Sequence, residues 1–266
     1  MTKVIAEIGW NHMGDMGLAE KMIKAASENG ADYAKFQTWS VDRLKAGAWD
    51  DDGRRQIYEN AELSFEDHVE LIVMCEEYNI NFLSSVFSVK DAETLVKLGV
   101  KEVKIPSFEC RNQELIKYCD TNFDRIFMST GTSTWQEVVE SVDLIQNAAL
   151  TLMHCVSSYP GNPEQANIKK IAHLSMLCKS VGYSDHIMGV ESAKVAMAYD
   201  IDVVEKHFTI DQDLPGRDNK FAILPHEMKD LSDFITLYDN MHKWCGLDFL
   251  QIEKDSRENY TGRFDA

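Results

Sequence analysis

Two histidines close short apolar runs. One run reads Val-Gly-Tyr-Ser-Asp-His (181–186) and the other Val-Val-Glu-Lys-His-Phe (203–208). A single helix-length segment separates them, the spacing of consecutive strands in a β/α barrel, which sets His186 and His207 side by side at one rim. Neutral imidazoles from adjacent strands can hold a divalent metal and leave coordination positions open for water or a carbonyl oxygen. Strand alternation turns further polar residues inward: Glu7, Lys35, Gln37, Lys104, His154, Ser184 and Glu205. A charge inside a strand buried on both faces is costly unless it is paired or used. Two lysines with strand-end hydroxyls, Ser84-Ser85 and Ser129-Thr130-Gly131, make a cradle for phosphate and carboxylate. Taken singly, each has a plain reading: a snorkelling lysine, a satisfied core histidine, an ordinary strand end. His12 and His226 fall in that plain class. The coincidence of so many at one rim argues for a site. A phosphate ester beside a metal-polarised carbonyl fits either carbon–carbon bond formation or phosphoryl transfer, and the residue types leave both open.

The elements that must position these residues recur eight times. Apolar or β-branched runs cover 3–8, 32–38, 81–87, 102–107, 124–130, 150–155, 181–186 and 202–208, with helix-period spacers between them. In the spacer 65–79, Phe65, Val69, Ile72, Val73 and Cys75 fall near one face, and Ser64 with Asp67 reads as a helix cap. Parallel strands joined by helical crossovers close most simply into a TIM (β/α)8 barrel, over residues 1–250 as a single unit. An open doubly wound sheet is the alternative, but no GxGxxG follows the first strand. Two longer polar segments interrupt the rhythm at the same rim. One is 39–63, with Trp39, Trp49 and Asp50-Asp51-Asp52, and the other is 209–225, with Pro215-Gly216-Arg217-Asp218-Asn219-Lys220. A last helix is expected over 225–243, then a polar, frayed tail (251–266).

The bulk numbers bound the partners. The 266 residues carry 44 acidic against 27 basic side chains, a net charge of −17, which repels nucleic acid and anionic membrane. An anionic small molecule then requires locally concentrated cations or N–H groups. The six cysteines form no CxxC pair, and the N-terminus has no signal-peptide pattern, so a cytoplasmic, reduced protein is expected. No apolar run approaches the ~20 residues of a membrane span.

At these residues the chain resembles the sialic acid synthase (NeuB-like) family, the phosphoenolpyruvate-dependent nonulosonate synthases. The matching stretches are Ile5-Ala-Glu-Ile-Gly-Trp-Asn-His-Met-Gly14, Ala31-Asp-Tyr-Ala-Lys-Phe-Gln-Thr38, Phe82-Leu-Ser-Ser-Val-Phe87 and Val103-Lys-Ile-Pro-Ser-Phe-Glu109. Met128-Ser-Thr-Gly-Thr132, Leu152-Met-His-Cys-Val-Ser-Ser-Tyr-Pro160, Gly182-Tyr-Ser-Asp-His186, Glu205-Lys-His-Phe208 and Pro215-Gly-Arg-Asp218 follow in family order. The resemblance implies a TIM barrel that condenses phosphoenolpyruvate with an N-acyl amino-sugar aldehyde, giving a sialic-type 2-keto acid and phosphate. By carry-over, His186 and His207 would bind Mn²⁺, with Mg²⁺ or Co²⁺ as alternatives. Lys35, Lys104, Ser107, Ser129, Ser84 and Ser85 would cradle phosphoenolpyruvate. Gln37 would orient the sugar or the enol, Glu109 would sit beside the reacting carbon as an acid/base or an oxocarbenium stabiliser, Tyr159 and Asp218 would contact sugar hydroxyls, and Glu7 would orient a water at the metal. Ser157 and Ser184 join the substrate-binding set.

The chain departs from the family's pattern at three places. Phe108 replaces a glycine, Ser157 stands where an asparagine is common, and Gly216-Arg-Asp-Asn219 replaces Gly-Pro-Asp-His. These fall mainly in the acceptor half of the motifs. Family members also usually carry a C-terminal antifreeze-like domain that brings an arginine to the partner subunit's site. The expectation is that this arginine is missing, comes from a separate antifreeze-like subunit, or is replaced from within by Arg217; a homodimer through the barrel is a further expectation. The competing functional readings are the same aldol chemistry on another aldose, including a phosphorylated one, and a non-catalytic barrel that binds a ligand or partner.

Overall fold

The protein is described from a computed structural model over residues 2–47 and 50–264; Trp49 lies outside the described residues. Eight parallel strands close into a barrel in chain order: β1 Lys3–Gly9, β2 Tyr33–Thr38, β3 Asn81–Val86, β4 Glu102–Ile105, β5 Arg125–Ser129, β6 Ala149–Cys155, β7 Ser180–Asp185 and β8 Val203–His207. β8 returns to pair with β1, placing His207 opposite Glu7. Each of the eight runs read from the sequence is a strand, and the open-sheet alternative is set aside.

Alternation divides the barrel interior into two storeys. Ile5, Tyr33, Leu83, Phe127, Met153 and Val203 pack into an apolar plug inside the strands. Two residues further along each of those strands the inward position is polar or ionisable: Glu7, Lys35, Ser85, Ser129, Cys155 and Glu205. The plug keeps water out below, and the polar storey opens at the C-terminal rim, where barrels of this kind carry chemistry.

The outward strand faces, such as Ile8, Phe36, Ile105, Leu152 and Phe208, are covered by helices. These are α1 Met16–Glu28, α3 Phe65–Glu77, α4 Val89–Lys97, α5 Gln113–Asn122, α6 Trp135–Val142, α7 Ile171–Leu174, α8 Glu191–Ala196 and α9 Pro225–Met241. Ser64 and Asp67 form a reciprocal capping box on α3. The buried face of α3 is not the expected one: His68, Leu71, Met74 and Cys75 face the barrel, while Phe65, Val69 and Val73 are exposed. The helix carries apolar residues on two faces, and the sheet takes the face whose His68 reaches Thr38 Oγ1 at 2.8 Å.

Two segments are more ordered than their polarity implies. The 39–63 segment contains a 3-10 turn, Val41–Arg43, and α2, Arg54–Ala61. Residues 251–260 form a 3-10 turn and α10, Lys254–Tyr260, with no buried residue. Among the described residues no helix is long and apolar enough to cross a membrane. All six cysteines are free thiols.

Candidate active site

The C-terminal rim surrounds a cavity of about 1030 Å³. Its floor is a buried chain of charges. Gln37 Nε2 donates to Glu7 Oε1 at 2.6 Å, and Lys35 Nζ lies 2.6 Å from Glu7 Oε2 and donates to Ser85 Oγ at 2.9 Å. Glu205 stands 3.7 Å from Lys35 and 3.4 Å from Lys104, and accepts from Ser184 Oγ at 2.8 Å. Two ammonium groups against two carboxylates leave the floor close to neutral. Burial opposes every one of these charges and prevails at Glu7, whose carboxyl is raised, with Glu205 adding to the effect against Lys35. At Glu205 burial is outweighed by Lys104 and Lys35, which hold its carboxyl at about 2. Burial lowers the Lys104 ammonium, whereas Lys35, set between both glutamates, is raised in spite of it.

Ser129 Oγ is buried in the cavity wall without a hydrogen-bond partner, so it is available to a ligand. Ser107 begins the turn after β4 and accepts from Gly131 N–H at 3.2 Å. A Cβ on Gly131 would stand 2.6 Å from Ser157 Oγ and 2.7 Å from Ser107 Oγ, so a larger residue would displace both serines.

The two imidazoles sit at the upper edge of the same cavity, ring centroids 5.3 Å apart. His186 Nδ1 faces the Val156 carbonyl oxygen at 2.9 Å, which places the proton on Nδ1 and leaves Nε2 with its lone pair. His207 Nδ1 is buried without a hydrogen bond, 3.5 Å from Asp218 Oδ2. Burial above all, with repulsion from any proton taken up by His186, holds the His207 pKa well below its usual value, so the ring is neutral. This donor set fits a divalent ion. Among the described residues no cluster of three or more His, Cys, Asp or Glu could hold one, so the remaining positions would fall to substrate oxygens and water.

Glu109 ends the turn after β4, where Asn112 Nδ2 donates to its Oε2 at 2.8 Å and burial raises its carboxyl. Tyr159 lies against His186 with centroids 4.2 Å apart. Arg217 and Asp218 reach the cavity from the β8 loop, and burial followed by the Glu7 charge raises Asp218 to about 7.

Three residues do not stand where the sequence placed them. Ser84 turns outward and joins Thr38 Oγ1 at 2.7 Å, since adjacent strand residues cannot both face inward; only Ser85 lines the cavity. His154 is outward too, bonded through Nε2 to Ala166 O at 2.7 Å and stacked on Tyr183. Its neighbour Cys155 takes the inward position, 3.8 Å from His186 Nδ1. Ser157 is half-buried near Cys155 and outside the cavity lining.

A model of the NeuB family matches residues 22–243. The chain belongs to the NeuB family. N,N'-diacetyllegionaminic acid synthase of Campylobacter jejuni is 36% identical over 248 residues, 86% of this chain and 74% of that one. Pseudaminic acid synthase of the same species is 31% identical over 247 residues, covering 87% and 72%. The crystal structure of N-acetylneuraminic acid synthetase from Leptospira borgpetersenii, in complex with citrate, superposes with a TM-score of 0.88 at 28% identity, over 99% of this chain and 92% of that one.

Within this NeuB barrel, the three departures have distinct surroundings. Asn219 points away from the cavity and braces the β8 loop, donating to Pro215 O at 2.7 Å and accepting from Thr209 Oγ1. Ser157 approaches Gly131. Phe108 lines the cavity, as does Arg217 of the third stretch. Sequence reasoning missed Cys155, which continuing the β6 alternation from Met153 would have found. It also missed the buried Asp185–Lys206 pair behind the histidines.

Proposed function

We propose that this chain condenses phosphoenolpyruvate with the open-chain aldehyde of an N-acyl amino sugar, giving a nonulosonic 2-keto acid and inorganic phosphate. The carrying observation is that one cavity joins Lys35, Lys104, Ser85 and Ser129 to two imidazoles with ring nitrogens open to ligand. A divalent ion, Mn²⁺ or a similar one, held by His186 and His207 would polarise the aldehyde carbonyl.

The chain's own groups supply the rest. Lys35, Lys104, Ser85, Ser107 and Ser129 bind the donor's phosphate and carboxylate and aim its C3 at the aldehyde carbon. A C3–C bond forms there as the aldehyde C=O π bond breaks, its oxygen taking a proton from Glu109, and C2 becomes electron-poor. Glu7, held by Gln37, orients water for addition at C2, and Glu205 offsets the positive charge that develops. Glu109 stands as the acid/base, and Tyr159 and Asp218 meet the sugar hydroxyls. The bond from C2 to the phosphate oxygen then breaks and leaves the ketone. Free thiols in all six cysteines fit a reducing, cytoplasmic setting.

The test is phosphate release from phosphoenolpyruvate. Release that needs an N-acyl amino sugar, stops with chelator and returns with Mn²⁺ supports the reading. Absence of release across a panel of N-acyl hexosamines, with metal present, overturns it.

A further inference from the structure

The last stretch of the chain leaves the barrel without packing on it. Every residue from 240 to 264 is exposed. α9 ends at Met241 beside Asp200, a few residues before β8. There Tyr238 Oη donates to Asp200 Oδ1 at 3.5 Å, and His242 Nε2 lies 3.9 Å from the same oxygen. The stretch therefore departs from the N-terminal rim of the barrel, opposite the cavity. It keeps local order. The Leu250 N–H donates to Glu253 Oε2 at 2.6 Å at the start of the turn into α10, and the Arg257 guanidinium lies 4.5 Å from the Phe249 ring centroid.

Its side chains do not match that exposure. Met241, Trp244, Leu247, Phe249, Ile252 and Phe264 all face solvent, with Trp244 78%, Leu247 93% and Ile252 88% exposed. Together they leave on the order of 1,000 Å² of mostly apolar surface in water. The largest patch on an ordinary monomer is about 300–600 Å², and a stable interface takes about 800 Å² from each partner.

Charge indicates what covers it. Between 241 and 264, Lys243, Lys254, Arg257 and Arg263 balance Asp248, Glu253, Asp255 and Glu258, whereas the whole chain carries −17. Two copies that meet at this stretch bring no net charge together, while the rest of the surface repels its own copy. A basic partner would be drawn to the acidic barrel instead. An anionic membrane repels the chain, and the stretch has no cationic excess to offset that. The exposed stripe Phe65, Val69 and Val73 on α3 is smaller, and Glu66, Glu70 and Glu77 on the same helix oppose self-pairing there.

We infer that residues 241–264 are a dimerisation arm that packs against the same arm of a second copy across a two-fold axis. The arms meet below the barrels, so both cavities stay open. The inference does not depend on the proposed condensation.

The test is sedimentation equilibrium of the full chain from about 0.1 to 100 μM. The native chain is expected to dimerise with a dissociation constant of about 1 μM or tighter. Leu247→Asp combined with Ile252→Asp puts charge on two side chains that the single copy leaves in water. Its circular dichroism and urea midpoint stay native, and its dissociation constant rises at least about 100-fold. Cys245, an exposed thiol between Trp244 and Gly246, locates the interface. A short bismaleimide joins two native chains, but does not join Cys245→Ser chains or chains of the double variant. A native chain that stays monomeric over the whole range overturns the inference. So does a dimer that survives the double variant, coupling that the double variant does not slow, or a monomer that binds phosphatidylcholine–phosphatidylglycerol vesicles through this stretch.

Discussion

Asp185 Oδ2 and Lys206 Nζ lie 3.0 Å apart, both completely buried, each one residue before a histidine of the site. Asp185 also accepts from Ser192 Oγ and from the Ile187 N–H, and Lys206 donates to the Ile187 carbonyl. The pair therefore ties β7 to β8 on the outer face while His186 and His207 face inward from the next positions.

Removing one member leaves the other charge buried alone. Lys206→Met is expected to cost about 3–5 kcal/mol of stability in urea unfolding. Adding Asp185→Asn to Lys206→Met recovers part of the loss. A cost within about 0.5 kcal/mol of zero would show that this pair does not brace the strands.

Metal and donor functions separate in two variants. His207→Ala is expected to abolish Mn²⁺ binding, measured calorimetrically, together with phosphate release, while the far-ultraviolet circular dichroism is preserved. Lys104→Ala retains Mn²⁺ binding and raises the phosphoenolpyruvate KM about 10- to 100-fold, the worth of one charge-assisted contact. Identical effects of the two variants on both readouts would contradict this division.

Glu109 titrates above the ordinary glutamate range because it is partly desolvated, with Asn112 opposing that rise. An acid/base role at this position makes one limb of the kcat/KM profile depend on it. Glu109→Gln should remove that limb and lower kcat about 100-fold or more. A retained limb in the Gln variant would assign the titration to another group.

His12 is buried, and its Nδ1 accepts the Gly14 N–H at 3.1 Å. Burial lowers its pKa from 6.5 to about 4, against the pull of Asp67. Below pH 6.5 the unfolded chain takes up the proton first, so this contribution is present above 6.5 and is lost as pH falls toward 4. The full loss is about 3 kcal/mol. His12→Gln keeps an acceptor and should flatten the dependence of the urea midpoint on pH over that window. An unchanged slope would remove His12 as its source.

The barrel was legible in the sequence because all eight strands must be buried on both faces, which compresses them into short apolar runs at regular spacing. The rim was legible for a related reason. A charge two residues beyond an inward Ile5, Tyr33 or Val203 has no apolar explanation, and this marked Glu7, Lys35 and Glu205. The errors came where periodicity supports two phases. Ser84 and Ser85 are both small and polar, and His154 and Cys155 both suit burial, so composition does not say which neighbour faces in. On α3 two apolar faces competed for the sheet.

Residue order alone determined the strand count, the inward lysines, glutamates and paired histidines, and the placement of two long loops at one end. It did so because local alternation and spacing are one-dimensional constraints. Only the closed barrel decided that Glu205 lies between Lys35 and Lys104, that Asp185 and Lys206 share a bond behind the imidazoles, and that Phe108 stacks open on Phe87. Those contacts join different strands or loops. Their energies depend on distance and dielectric, which chain closure sets.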